Sequence, residues 1–236
     1  MKAAVECLRI RGQRGSGIHK VNCRQVKIGT GRKKKLFELF KGSGSVGKVA
    51  KKMGFDVVSL DFDPIYTPDI ETDILTWDYK AYSKEHNFVP DYIWASPPCN
   101  TYSPLVYPLK ERDTQTAEPF SERAKIGTKI LYKTLEIIKY FIYLNPQLKY
   151  CIENPRGMMR KEPRMEKLPY RATTYYCYYG GFKLKPTDFW SNYPLGLKEI
   201  DGRCKDYIPV DKLTDIKDRY SIPPKLIKTI IESSGL

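Results

Sequence analysis

The chain reads as an α/β protein built on a mainly parallel sheet with helices on both faces, and three observations predict this. From residue 36 onward, short apolar runs of strand length alternate with stretches of helical period. Two of the runs end in marked turn chemistry, glycines after the first and a proline pair after a later one. With 236 residues and 41% hydrophobic content, the chain can bury such a sheet on both sides.

Leu36-Phe-Glu-Leu-Phe40 is the first strand, and Gly42-Ser-Gly-Ser-Val-Gly47 turns the chain into a helix over Val46 to Met53. Val57-Val-Ser-Leu60 is a second strand, and a weaker third element lies around Asp73-Ile-Leu75. Tyr92-Ile-Trp-Ala95 is a further strand, closed by Ser96-Pro97-Pro98-Cys99. Two consecutive prolines fix φ and stop both helix and ladder, so they hold Cys99 at a defined point on a strand's carboxyl edge. Residues 104–122 are polar and rich in Pro, Glu and Thr, and are expected to form a long mobile loop beside that thiol. Ile126, Ile130, Thr134, Ile137, Ile138 and Phe141 recur at helical spacing, giving a helix of about five turns whose apolar face is core. Lys149-Tyr-Cys-Ile152 is a strand leading into Glu153-Asn-Pro-Arg-Gly157. Thr173 to Tyr178 and Asp188 to Ser191 read as two more strands, and Pro223 to Ser233 as a closing helix with proline in its first turn. There is no internal repeat.

The formal charge of +14 is unevenly placed. Residues 1–35 hold eleven Lys or Arg against one Glu, whereas the rest of the chain holds thirty against twenty-six. The basic segment has no sustained apolar period and is expected to be a disordered tail, with residues 36–236 as the folded domain. Such a tail is an electrostatic arm for phosphates, a nuclear-import signal, or a solvated extension without a specific role. No apolar run approaches the ~18 residues of a membrane span, and the basic start lacks the apolar region of a signal peptide. The six cysteines are scattered with no C-x-x-C pair, and Cys151 and Cys177 lie in apolar strand-like runs. These features predict a monomer of a reducing intracellular compartment, cytoplasm or nucleus, with no disulfide framework, no metal and no membrane partner.

Glycines between a strand and its helix let a ligand approach the backbone and leave amides free at the helix start. Leu60-Asp61-Phe62-Asp63 ends the second strand with a carboxylate suited to ribose hydroxyls and a ring suited to stacking on adenine. Asp73-Ile74 is placed to meet the adenine edge. An NAD-binding fold shares the first two features, so they indicate a nucleoside site without naming the cofactor. Cys99 and Glu153 close two other strands and are expected in one cleft. A thiolate added to C6 of cytosine, with an acid hydrogen-bonded at N3 and the exocyclic amine, makes C5 nucleophilic enough to take a methyl group.

Phe40-x-Gly42-x-Gly44, Asp61-Phe62-Asp63, Asp73-Ile74, Pro97-Pro98-Cys99-Asn100-x-Tyr102-Ser103 and Glu153-Asn154 stand in the order and spacing of the DNA (cytosine-5) methyltransferases. Tyr179-Gly180 and Tyr220-Ser221-Ile222-Pro223 look like two later motifs of the same family, so the chain resembles it over residues 36–232. The compact form is similar to enzymes of large DNA viruses, the iridovirus type. The resemblance implies a seven-stranded Rossmann-like sheet and S-adenosylmethionine as cofactor. It implies DNA as partner, with a cytosine flipped out of the duplex. It implies Cys99 as nucleophile, Glu153 as acid, and Asn154 holding their loop. Phe40, Gly42, Gly44, Asp61, Phe62, Asp73 and Ile74 would surround the cofactor, with Ser221 at its methionine end.

The departures from the family are specific. Where most relatives have Gln-x-Arg-x-Arg after the Tyr-Gly pair, this chain has Lys183-Leu-Lys185-Pro-Thr187, and lysine lacks the planar fork of arginine. Lys183, Lys185, Arg156 and Arg171 are candidates for that work on the substrate. The family's target-recognition domain is reduced to about residues 193–217, too short for a core of its own. Sequence reading would then fall to loops, with Lys110, Arg112 and Gln115 as candidate base readers. An RNA cytosine methyltransferase on the same fold and a catalytically silent nucleic-acid-binding homologue are the alternatives. An amino methyltransferase is disfavoured, because Cys99 takes the aromatic position of its Pro-Pro-aromatic tetrad.

Overall fold

A computed structural model describes residues 32–181, 183–199, 202, 204 and 220–236. The tail expected over residues 1–35 lies outside the described residues up to position 31, as does most of the short recognition stretch 193–217. Seven strands form one sheet in the order β3-β2-β1-β4-β5-β7-β6. They are β1 (Lys35–Leu39), β2 (Asp56–Asp61), β3 (Ile70–Glu71), β4 (Tyr92–Ala95), β5 (Lys149–Pro155), β6 (Tyr170–Tyr175) and β7 (Pro186–Ser191). The first five run parallel, and β7 pairs antiparallel with both β5 and β6.

Alternation along each central strand divides the core into two layers. Phe37, Leu39, Ile93, Ala95, Ile152 and Trp190 face one layer. Leu36, Tyr92, Trp94, Cys151 and Phe189 face the other. Helix α3 (Glu122–Leu144) covers the first layer with Leu131, Ile137, Ile138 and Phe141, and α2 (Tyr79–Glu85) adds Tyr79. Helices α1 (Ser45–Lys52) and α5 (Pro224–Ser233) cover the second with Val46, Ala50, Leu226, Ile227 and Ile230. A four-residue helix, α4 (Pro163–Glu166), follows β5.

Several expectations are corrected. Asp73-Ile-Leu75 is a turn rather than a strand; β3 is only two residues long and lies just before it, too short to leave a periodic signal. Helix α2, seven residues capped by Asp78, was not anticipated, because so short a helix shows little period. Residues 104–122 are anchored rather than loose. They contain a 3-10 turn (Pro104–Leu109) and a bridge between Arg112 and Pro119, and the Arg112 side chain is fully buried. Cys177 is in a 3-10 turn (Tyr176–Tyr179), not a strand, and is disulfide-bonded to Cys204. The two cysteines are 27 residues apart in sequence, and only the fold brings the turn to the stretch after β7.

The chain leaves β1 toward β2 on one side and later returns to β4 on the other. The loops after β1 and β4 therefore diverge, opening a crevice at the carboxyl ends of the strands.

Candidate active site

That crevice is a cavity of about 470 Å³, within the ~300–1,000 Å³ of small-molecule sites. Its β1–β3 side is shaped by backbone. Phe40, Gly42 and Gly44 all have positive φ, so the chain curls back on itself before α1 begins. The Gly42 amide donates to Asp61 Oδ2 at 2.9 Å, and the Asp63 amide donates to Oδ1 of the same carboxylate at 3.1 Å. Asp61 thus ties the loop after β1 to the end of β2. Phe62 projects with 71% of its surface exposed at the cavity wall, beside Tyr66, Asp73 and Ile74. Asp73 caps its own turn through the Leu75 amide at 2.9 Å.

Glu38 also lines this cavity and escaped the sequence reading, because a lone acid inside an apolar strand looks like an edge residue. It is buried in β1 and accepts from the Gly47 amide at 3.1 Å. A Cβ on Gly47 would sit 2.5 Å from Glu38 Oε2, so a larger residue there would displace the Glu38 carboxyl from its place against α1. Burial pushes the Glu38 carboxyl up to about 7, against the opposing pull of the Gly47 amide and Lys41.

The β4–β7 side is built from side chains. Cys99 and Glu153 line the same cavity, as the sequence predicted. Asn154 Nδ2 donates to the Pro97 carbonyl at 2.8 Å, and the Met158 amide to the Tyr102 carbonyl at 2.8 Å. These two bonds clamp the Cys99 loop to the end of β5. Gly157 is required there, since a Cβ would lie 2.2 Å from the Tyr102 oxygen. Below the loop, Tyr102 donates to Glu162 at 2.9 Å, and the Arg112 guanidinium lies 3.7 Å from its ring centre. Arg112 also pairs with Glu162 at 3.2 Å and donates to Thr101, Thr128 and the Ala117 and Ala124 carbonyls. Its expected role as a base reader is therefore replaced by a buried strut.

Glu153 Oε1 accepts from the Tyr176 hydroxyl at 3.0 Å and lies 3.8 Å from Lys185 Nζ. Burial raises the Cys99 thiol above its ordinary value; Lys185 pulls it back and Glu153 pushes it further up. Lys183 differs from Lys185. It is buried, and its ammonium donates to the Ser221 carbonyl at 2.7 Å and to Oγ at 3.2 Å, away from the cavity wall. Ser221 is likewise not a lining residue, whereas its neighbours Tyr220 and Ile222 are. Arg156 and Arg171 are exposed, and neither lines the cavity. Ile126, expected in the core, is 47% exposed at the cavity, while Ile130 packs against the core and also lines the cavity.

No family model matches the chain. The chain is 27% identical over 221 residues to a Frog virus 3 (isolate Goorha) protein described as "Probable DNA (cytosine-5)-methyltransferase". That match covers 84% of this chain and 99% of the viral one. The chain resembles the DNA (cytosine-5)-methyltransferases. Among solved structures, Dnmt2 methyltransferase of S. pombe aligns at 14% identity with TM-score 0.44, covering 72% of this chain and 53% of that one. A Spodoptera frugiperda DNMT2 mutant aligns at 17% identity with TM-score 0.44, covering 77% and 56%. The chain thus spans about half the length of these solved structures. Its strand order, with β7 alone reversed, is the Rossmann-like sheet expected of methyltransferases.

Proposed function

We propose that the chain transfers a methyl group from S-adenosylmethionine to C5 of a cytosine flipped out of DNA. The observation that carries this reading is the meeting of Cys99 and Glu153 in one cavity with the Gly42–Asp61 loop. The donor set fits the cofactor. Asp61 and Asp73 offer carboxylate oxygens, and Phe62 offers an open ring face. When bound, S-adenosylmethionine supplies an electrophilic methyl group carried on sulfur.

The chain's own residues do the rest. Cys99 loses its proton and its sulfur bonds C6 of the base. The C5–C6 electron pair becomes nucleophilic at C5, and Glu153 hydrogen-bonds N3 and the exocyclic amine to hold the charge that develops in the ring. After C5 has been methylated, loss of its proton re-forms the double bond and expels the Cys99 sulfur. Lys185 is the cation near the thiol that favours its ionised form. Because burial raises that thiol, the rate is expected to climb with pH through the ordinary thiol range.

The description of the Frog virus 3 relative as a probable DNA (cytosine-5)-methyltransferase supports DNA, rather than RNA, as the substrate in this reading. The basic segment over residues 1–35 supplies phosphate contacts in this reading, and an intracellular monomer acting without metal is part of it. The test is incubation with labelled S-adenosylmethionine and either DNA or RNA, followed by nucleoside analysis. Labelled 5-methyldeoxycytidine is the expected product. Label in ribonucleosides alone, or in neither nucleic acid, would overturn the reading.

A further inference from the structure

We propose that Tyr176 is a positioning residue for Glu153: its phenol holds Oε1, so that the carboxyl presents Oε2, and any proton on it, to the base. The inference rests on the roles given above to Cys99 and Glu153. It concerns a residue outside every motif that the sequence comparison used.

The geometry is specific. Tyr176 is fully buried and donates to Glu153 Oε1 at 3.0 Å, the same oxygen that Lys185 approaches at 3.8 Å. Oε2 has no hydrogen-bond partner among the described residues. A carboxyl group whose one oxygen is engaged by a donor carries its own proton on the other oxygen. Burial and the neighbouring Glu153 push the Tyr176 hydroxyl well above its ordinary value, so it stays a donor throughout the working pH range.

The ring is held as firmly as the hydroxyl. Lys183 and Lys185 place their ammonium groups 5.5 and 5.2 Å from its centre. The next three residues of the turn are each tied to the stretch after β7. Cys177 is bonded to Cys204, Tyr178 donates to the Gly202 carbonyl at 2.7 Å, and Tyr179 accepts from the Lys198 amide at 2.8 Å. Gly181 closes the turn by donating its amide to the Tyr176 carbonyl at 3.1 Å, and a Cβ there would lie 2.9 Å from that oxygen. The phenol is thus delivered to Glu153 by a rigid turn, where relatives place an arginine-rich run shortly downstream.

Tyr176→Phe removes one oxygen and keeps the ring between its two lysines. Its kcat for methyl transfer is expected to fall about tenfold or more, with KM for S-adenosylmethionine changed by less than about twofold. In a Glu153→Gln background the same substitution should change the residual rate by less than about twofold, since Tyr176 acts through the carboxyl. A readout independent of turnover is alkylation of Cys99 by iodoacetamide. Freed from Tyr176, Glu153 closes on Lys185 and withdraws that charge from the thiol, so alkylation slows, and Glu153→Gln removes the difference. Wild-type kcat and wild-type alkylation in Tyr176→Phe would overturn the inference. So would a loss that persists undiminished beside Glu153→Gln, which marks a packing role only. If the wild-type protein transfers no methyl group at all, the proposed reaction fails on its own, and the alkylation comparison still decides the position of Glu153.

Discussion

The two walls of the cavity are built by different means. The β1–β3 wall is made by the backbone and by a few carboxylates close to it in sequence or on the next strand, such as Asp61 on the Gly42 amide and Asp73 on its own turn. The β4–β7 wall is made by side chains that meet across long stretches of chain. Asn154 reaches Pro97, and Tyr176 reaches Glu153. The first wall depends on backbone torsions, with Gly42 in the left-handed region that favours glycine. The second rests on contacts between distant side chains, with Tyr176 and Lys185 both reaching the same Glu153 oxygen.

If the walls act separately, damage to one should leave the other working. Cys99→Ser is the sharpest case. It is expected to lower methyl transfer by more than about 10³-fold while changing S-adenosylmethionine affinity by less than about twofold in a calorimetric titration. Comparable loss of both would show that the walls are not independent.

Arg112→Ala tests the support of the β4–β7 wall. Removing the guanidinium leaves Glu162 buried without its cation, so thermal unfolding should reveal a loss of about 3–5 kcal/mol. The sequence context of methylation should stay unchanged in whatever protein remains folded. A stable variant with relaxed context would return Arg112 to the role of base reader.

Asp61→Ala attacks the opposite wall. Two amides lose a charged acceptor, and cofactor affinity is expected to weaken about 10- to 100-fold, with Cys99 alkylation unaffected. Slower alkylation would mean that the glycine loop also sets the thiol.

The last effect is on stability alone and concerns Glu38. Its folded-state value of about 7 lies above its ordinary 4.5, so the folded protein keeps a proton that the unfolded chain gives up. Stability from this group is therefore greatest at the acid end and falls as pH rises from 4.5 toward 7, by up to about 3 kcal/mol. Glu38→Gln should remove that fall in chemical denaturation series across the window. An unchanged slope would place the pH dependence elsewhere.

The contrast between the walls also explains what was legible in the sequence. Strand ends, the glycine turn, the proline pair and the amphipathic α3 each leave a local pattern, and the parallel sheet followed from their alternation. Cys99 and Glu153 were legible because each closes a strand, which fixes the edge where they lie. Arg112, Tyr176 and Glu38 were not. Each sits in ordinary surroundings along the chain and gains its role from partners 9 to 50 residues away. Lys183 and Lys185 are alike in the sequence, yet the ammonium of the first reaches Ser221 while that of the second lies near Glu153, a difference set by partners distant in the chain.

The central claim is that Cys99 attacks the base covalently, and one measurement addresses it directly. DNA containing 5-fluorocytosine is incubated with the protein and S-adenosylmethionine, and the mixture is run on a denaturing gel and analysed by mass spectrometry. A fluorine at C5 cannot be eliminated, so the account predicts a stable protein–DNA adduct through Cys99, formed only when the cofactor is present and absent in Cys99→Ser. Methylation of ordinary cytosine without any such adduct, or an adduct that survives in Cys99→Ser, would contradict it.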